Sequence, residues 1–152
     1  MAERVREAQV SDAAAIGRLL DAFTREYDDF TPGPDALAER IAVLLWSGEV
    51  TVLLAGEPPC AVSVLRFRPS LWTEHLECHL AELYVTPERP GQGLGRALLQ
   101  AAIDHARARG ADFMDLGTSA DDRVARRRNE SFGFTNLERP GGPVMYLYER
   151  ER

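Results

Sequence analysis

The chain has 152 residues, of which 45% are hydrophobic and 28% charged, and its formal net charge is −6 at pH 7. This length suits one domain over residues 1–152 with one hydrophobic core, and the apolar share is ordinary for a globular protein. The acidic balance argues against nucleic acid as a partner, because nonspecific nucleic-acid binding needs a basic surface. It mildly favours a cationic substrate such as an amine.

The cysteines and the N-terminus predict where the protein resides. Cys60 and Cys78 are too few for a disulfide framework and fit no zinc-binding or CxxC spacing, so we expect no metal. The first ten residues are charged and lack the apolar segment of a signal peptide, and no later run is long enough to span a membrane. We therefore expect a cytoplasmic protein with no membrane partner.

Two amphipathic helices are predicted after a short first strand over residues 5–10. Ser11 and Asp12 are typical capping residues for the first helix, and Pro34 suits the first position of the second. The Asp28–Asp29 loop between them either meets a cationic substrate or is simply solvated. The first helix has an apolar stripe at positions i, i+3, i+4 and i+7: Ile16, Leu19, Leu20 and Phe23.

Three strands are predicted in the middle of the chain. Residues 49–55 and 60–67 form a hairpin, because a Gly-Glu-Pro-Pro break separates two β-rich runs. Arg66 and Arg68 alternate with apolar residues and are expected to face solvent. Residues 77–85 are predicted to form the central strand of the sheet.

A glycine cluster follows this strand and leads directly into a helical pattern. Residues 83–99 read LYVTPERPGQGLGRALL. Glycines let an anion approach the backbone closely, and a helix start offers unpaired N–H groups and the positive end of the helix dipole. The spacing fits neither a Walker loop, which needs Gly-Lys-Ser/Thr, nor the G-x-G-x-x-G fingerprint, because position 96 is Arg.

The remaining elements follow in order. The helix after the glycines is predicted to end at Gly110, a C-terminal capping residue. Residues 112–118 form a strand parallel to the central one, because a helix crosses over between them. Residues 119–134 contain the last helix, and residues 144–149 form a closing strand whose apolar edge can pair with a second copy.

The stretch from the central strand to the helix resembles the signature of the GCN5-related N-acetyltransferases (GNAT): strand, Val-x-Pro, (Gln/Arg)-x-x-Gly-x-(Gly/Ala), helix. The resemblance covers nearly the whole chain. It implies an α/β fold with a mixed central sheet of about six or seven strands, flanked by about four helices and splayed between the central strand and the next parallel strand. Pro90 occupies the Gln/Arg position, with Arg89 one place early, which leaves the amides of residues 91–96 unaffected.

The same resemblance implies acetyl-coenzyme A as cosubstrate, a small-molecule or protein amine as acceptor, and a homodimer. Asn129 stands where the family commonly has a tyrosine that donates a proton to the leaving thiolate, and asparagine cannot act as a general acid. The implied coenzyme-binding residues are Leu83, Tyr84, Val85, Gly91, Gln92, Gly93, Leu94, Gly95, Arg96, Asp122 and Asn129.

Glu82 is the predicted catalytic base. Free alkyl amines are mostly protonated at neutral pH, and a carboxylate can take that proton directly or through water. The alternative role of Glu82 is to pair with a nearby arginine. His79 is a second candidate, but on strict alternation the two side chains face opposite sides unless a bulge intervenes. The donor to the thiolate is left open among solvent and three tyrosines: Tyr84, Tyr146 and Tyr148.

Two functions from different classes fit these residues. The first is an N-acetyltransferase, which Glu82 favours. The second is a coenzyme-A-binding sensor or partner-binding module with little catalysis, which Asn129 favours. The glycine loop supports both, and the enzyme is the prediction.

Overall fold

A computed structural model describes residues 5–89 and 93–151. The predicted binding residues Gly91 and Gln92 therefore lie outside the described residues. The chain divides into two compact units, residues 1–114 and 115–152, and each is described by itself. The single domain over residues 1–152 stays a prediction.

The described residues contain five strands and four α-helices. A short 3-10 turn, Val10–Asp12, precedes the first helix. The elements are β1 (Val5–Glu7), α1 (Ala13–Glu26), α2 (Pro34–Ser47), β2 (Val50–Ala55), β3 (Ala61–Pro69), β4 (Leu76–Val85), α3 (Leu94–Ala108), β5 (Ala111–Leu116) and α4 (Arg123–Ser131).

The strands form one sheet in the order β1-β2-β3-β4-β5, and the pairs β1–β2, β2–β3 and β3–β4 are antiparallel. The predicted α/β class is confirmed, with five strands among the described residues where about six or seven were expected. β4 is the fourth strand and not the middle one. The direction of β5 and the splay beside it stay predictions.

Helices α1 and α2 pack on one face of the sheet. Ile16 of α1 and Ile41 of α2 are buried in a cluster with alternate residues of the strands, which include Val52, Val62 and Val64. The residues between these, such as Leu53 and Leu65, are buried on the opposite face, where α3 packs on β2, β3 and β4. The buried residues of α3 include Leu98, Leu99 and Ala102.

The chain between β1 and α1 differs from the prediction. β1 ends at Glu7 and not at residue 10. The Gln9 N–H donates to Oδ2 of Asp12 at 2.8 Å, and Arg6 forms an ion pair with the same carboxylate at 2.9 Å. Asp12 therefore closes the turn before α1 and makes no side-chain capping bond to the helix itself.

Residues 115–152 contain α4 and a short irregular hairpin. The predicted closing strand at residues 144–149 is wrong, because Val144 makes only an isolated bridge with Leu137. Pro140 and Pro143 lie between the two bridge residues and have no N–H to donate to a ladder. The side chains that follow, Tyr146, Leu147 and Tyr148, are exposed.

Candidate active site

A β-bulge lies next to the predicted base on β4. In the register with β3, Leu80 lies opposite Leu65 and Glu82 lies opposite Val64, so Ala81 is an extra residue without a partner of its own. A bulge of this kind bends the strand and changes the alternation of side chains across it. Nothing in the sequence marks this position, because neither Gly nor Pro stands there.

The bulge places His79 and Glu82 on the same face of the sheet. Their spacing in the chain would put them on opposite faces under strict alternation. The extra residue reverses that relation, and His79 lies opposite Arg66 in the continuing register. Because of the bulge, the two candidate bases, His79 and Glu82, therefore share a face.

On β4, α1 and α2 cover this face only near the end of the strand. Paired residues of antiparallel strands share a face, and Tyr84 lies opposite Val62, which is buried beneath the helices. From Tyr84 toward the start of β4 the cover ends, and the side chains on this face reach solvent. We call Arg66, His79 and Glu82 the open cluster, because all three are exposed and lie on this face.

The electrostatics of the open cluster suit a base. Glu82 keeps access to solvent, but the protein atoms around its carboxyl group raise its pKa above the ordinary value by desolvation. The charges of Arg66 and His79 partly offset this rise in pKa. A carboxylate with a raised pKa is a stronger base than an ordinary glutamate.

Tyr84 belongs to the core and does not suit the role of proton donor. Its side chain is buried, and its ring stacks on Phe23 with the centroids 4.9 Å apart. Desolvation and a hydrogen bond from its hydroxyl to Glu26 raise its pKa to about 12. A phenol with that pKa gives up a proton reluctantly, so Tyr84 is the weakest of the three tyrosine candidates.

The start of α3 has the geometry of an anion site. Gly93 precedes the helix with φ of 69°, in the left-handed region that favours glycine. The first bond of the helix runs from the Ala97 N–H to the Gly93 carbonyl at 3.0 Å. Helix geometry therefore leaves the N–H groups of Leu94 and Gly95 without an acceptor inside the helix.

The side chains near this helix start differ in exposure. Leu94 is buried and anchors the first turn, whereas Arg96 is exposed. Leu83 and Val85, at the end of β4, are half-buried. The backbone of these residues and the exposed side chain of Arg96 are accessible to a ligand.

Asp122 and Asn129 both make contacts within residues 115–152 that the sequence did not assign. Asp122 caps α4, since its Oδ1 accepts from the Ala125 N–H at 3.0 Å. The aspartate directly before a helical pattern is the signal that predicts this cap. Asn129 is buried and donates from Nδ2 to Oγ1 of Thr118 at 2.8 Å. No sequence pattern indicates that long-range pair.

The acidic loop after α1 is exposed. Asp28 has φ of 58°, a conformation that aspartate tolerates better than most residues. Asp29 accepts a hydrogen bond from the N–H of Phe30 at 2.9 Å, so part of its capacity serves the loop itself. Whether these carboxylates meet a substrate stays a prediction.

A separate cavity of about 490 Å³ is lined by residues near β1, β2 and the ends of α2 and α3. It is bordered by the end of β1, the start of β2 and the last turn of α3, including His105 and Arg109. No residue of the open cluster borders it. We therefore build the candidate active site on β4 and not on this cavity.

Within residues 5–89 and 93–151, no three His, Cys, Asp or Glu side chains gather in a way that could hold a metal ion. In the same part of the chain, no helix has the length and apolar character needed to cross a membrane.

Comparison with known proteins decides the family. Residues 18–134 match the Acetyltransferase (GNAT) family. The chain belongs to the GNAT family of acetyltransferases. YhfO of Bacillus subtilis, named as an uncharacterized N-acetyltransferase, is 30% identical over 135 residues, which cover 86% of this chain and 88% of that protein. The resemblance and the enzyme class predicted from the sequence are both confirmed.

Two other matches of this GNAT acetyltransferase differ in extent. A crystal structure from Arthrobacter sp. FB24, described as a candidate acetyltransferase, has a TM-score of 0.91 and 43% identity and covers 99% of this chain and 96% of that one. The mycothiol acetyltransferase of Beutenbergia cavernae is 39% identical over 69 residues, 43% of this chain. That match spans only 23% of the mycothiol enzyme.

Proposed function

We propose that the chain is an acetyl-coenzyme-A-dependent N-acetyltransferase that acts on a primary amine of a small molecule or protein. The observation that carries this proposal is Glu82, a carboxylate of raised pKa on an exposed face of β4. The same strand leads through the glycine loop to the free N–H groups at the start of α3. A base and an anion site are thus joined by one short stretch of chain.

Coenzyme binding is assigned to the backbone of Leu83, Tyr84 and Val85 and to residues 91–96. The support comes from the left-handed Gly93 and from the N–H groups of Leu94 and Gly95, which suit a pyrophosphate. Asp122 and Asn129 remain in the proposal as coenzyme-binding residues, and their hydrogen bonds to Ala125 and Thr118 orient their side chains.

The proposed role of Glu82 is to take the proton from the acceptor ammonium, which frees the nitrogen lone pair for attack. Bound acetyl-coenzyme A supplies the acetyl group as a thioester, whose C–S bond breaks as the amide bond forms. A backbone N–H near Val85 polarises the carbonyl. Asn129 cannot supply a proton to the departing sulfur and Tyr84 holds its own tightly, so we assign that proton to solvent.

Thermal shift with acetyl-coenzyme A tests the binding site. A ligand at a hundred times its dissociation constant stabilises the fold by about 2.7 kcal/mol. Gly93→Val should abolish most of that shift, since a branched side chain obstructs the approach of an anion. Gly110→Val is the matched control, because Gly110 also has positive φ and open space for a Cβ. Equal losses of shift in both variants would contradict the assignment.

Thiol release in a panel of amines tests the transfer itself. Acetylation of at least one amine, confirmed by the mass of the product, is the expected result. If the protein binds the coenzyme but acetylates no amine in the panel, the alternative of a coenzyme-binding sensor is favoured.

A homodimer and a cytoplasmic location complete the proposal. The exposed apolar side chains of residues 144–148 support self-association, although they form no strand. Two free cysteines, Cys60 and Cys78, accord with a reducing compartment. Sedimentation at micromolar concentration tests the dimer, and a monomer there would remove it.

A further inference from the structure

Two arginines on the same face of β3 differ in what their charges contact. Arg68 donates from Nε to Oε2 of Glu77 at 2.7 Å, so its charge is already paired. Arg66 stands two residues earlier, which on a strand is the same face. Among the described residues, no carboxylate oxygen lies within 4.0 Å of the Arg66 guanidinium, which is the distance limit for an ion pair.

Arg66 lies beside the proposed base without binding it. Arg66 pairs in register with His79, and Glu82 pairs with Val64, two positions from Arg66 along β3. Two strand positions correspond to about 7 Å. At this separation the guanidinium acts on the carboxylate through its field and not through a hydrogen bond. The open face therefore presents one acidic and one basic group that do not neutralise each other directly.

An unpaired guanidinium has a preferred partner. Its planar set of N–H donors matches a carboxylate and binds it through two parallel hydrogen bonds. The long side chain lets these donors reach a ligand whose ammonium sits at Glu82. A ligand with a second ammonium group, such as a diamine, would instead meet like charge at Arg66, which disfavours it.

We propose that Arg66 is a specificity-determining residue that binds a carboxylate on the acceptor, so that the acceptor is a free α-amino acid or a close analogue. This inference rests on the proposed function, because it gives the substrate class of the same site. Glu82 receives the ammonium group and Arg66 receives the carboxylate of one zwitterionic molecule.

The test compares amino acids with their own carboxamides, for example L-methionine with L-methioninamide and L-leucine with L-leucinamide. The carboxamide keeps the side chain and loses the charge that Arg66 would bind. Its amine is also the less basic of the two, so more of it is deprotonated at neutral pH. Amine basicity alone would therefore favour the carboxamide, the opposite of the predicted preference.

In the wild type we expect the acid member of at least one pair to have the higher kcat/KM in the thiol-release assay. Arg66→Gln should lower kcat/KM for that acid about 10- to 100-fold, mainly through KM, which is the range for a hydrogen-bonded charge. Measured above the falling limb of the pH profile, where Glu82 is deprotonated in both proteins, the carboxamide should change by less than about twofold. Arg68→Gln is the matched control and should leave the ratio of acid to carboxamide unchanged, because its charge serves Glu77.

Two results would overturn the inference. The first is a wild type that uses the carboxamides as well as or better than the acids in every pair. The second is an equal loss for both members in Arg66→Gln, which would mean that Arg66 acts only by adjusting the pKa of Glu82.

Calorimetry separates failure of this inference from failure of the proposed function. If no acceptor is acetylated, the same pairs are titrated into protein saturated with coenzyme A. Tighter binding of the acids that is lost in Arg66→Gln would support the carboxylate site even without transfer. Equal binding of acid and carboxamide, or no binding of either, would overturn it.

Discussion

The two ends of one face of β4 are built for different purposes. At the covered end, Tyr84 lies against Val62 and Phe23 beneath the helices. At the open end, the strand carries Glu82 and His79 into solvent. The covered end contributes to stability because its side chains leave water, whereas the open end keeps groups that can exchange protons. The bulge at Ala81 lies at the boundary between them.

The largest expected effect is at the open end. Glu82→Gln keeps the shape of the side chain and removes its basicity, so turnover with a confirmed acceptor should fall about 10²–10⁴-fold. The thermal shift with acetyl-coenzyme A should not change. Glu77→Gln, on the same strand and paired with Arg68, is the control and should keep turnover. Full turnover in Glu82→Gln would move the base to His79 or to water.

The pH dependence of kcat/KM also tests the role of Glu82 as the base. Glu82 acts as a base only when it is deprotonated, so kcat/KM should fall as the pH drops through its raised pKa. Arg66→Gln removes a charge that lowers this pKa, which should move the falling limb to higher pH. A limb that stays in place in both Arg66→Gln and Glu82→Gln would mean that another group titrates.

The next largest effect concerns the stability of the packing between α1 and α2, the helices that cover this face. A Cβ on Gly17 of α1 would collide with the carbonyl oxygen of Pro34 and lie 2.9 Å from the nitrogen of Ala38, both on α2. Gly17→Ala should therefore cost about 1–3 kcal/mol by overpacking, despite the higher helix propensity of alanine. Denaturant unfolding measures this loss, with Ala14→Gly on the same helix as a control for propensity. A stabilised Gly17→Ala would show that the helices can separate freely.

A smaller effect is expected for Tyr84→Phe. The substitution keeps the packing on Phe23 and removes the hydrogen bond to Glu26, so unfolding should become easier by about 1 kcal/mol. Turnover should stay within about twofold, because a hydroxyl with a pKa of about 12 is not the proton donor. A hundredfold loss of turnover, with the stability loss still small, would instead identify Tyr84 as that donor.

The smallest expected effect on stability concerns Asp12, which lies outside β4. It serves as a reference for the contribution of a surface ion pair. Arg6 and the Gln9 N–H hold the pKa of Asp12 at about 2, below the ordinary aspartate value of 3.8. A lowered pKa stabilises the fold above the unfolded value, and this contribution is lost as the pH falls from about 4 to 2. Asp12→Asn should cost about 0.5 kcal/mol at pH 7, since solvent weakens a surface pair. Thermal unfolding at pH 7 and pH 2 checks whether the difference from wild type disappears.

Periodicity predicted most of the elements and the faces they bury. The positions of β2, β3, β4 and α3 follow from apolar runs and glycine breaks, and Arg66 and Arg68 are exposed as expected. These features depend on local spacing, which a sequence displays directly. The approximate position of the site could be predicted for the same reason, because Glu82 and the glycine loop are neighbours in the chain.

What the sequence did not show depends on residues far apart in the chain. The contact of Gly17 with α2 and the bond from Asn129 to Thr118 exist only once the chain has folded. The predicted strand at residues 144–149 had a suitable alternation, but in the part of the chain that the structure describes it forms only the isolated bridge from Val144 to Leu137. The position of the bulge cannot be predicted from the sequence, since the bulge becomes visible only in the pairing of β4 with β3.

The bulge also changes how related sequences should be compared. On a regular strand, two side chains that cooperate on one face are separated by an even number of positions. His79 and Glu82 are separated by an odd number and still share a face. In a relative that lacks the inserted residue, the same two side chains would stand two positions apart. A sequence alignment without a gap would then match the wrong residue to Glu82. Equivalent residues are therefore best identified by the face of the strand on which their side chains lie, and not by their column in the alignment.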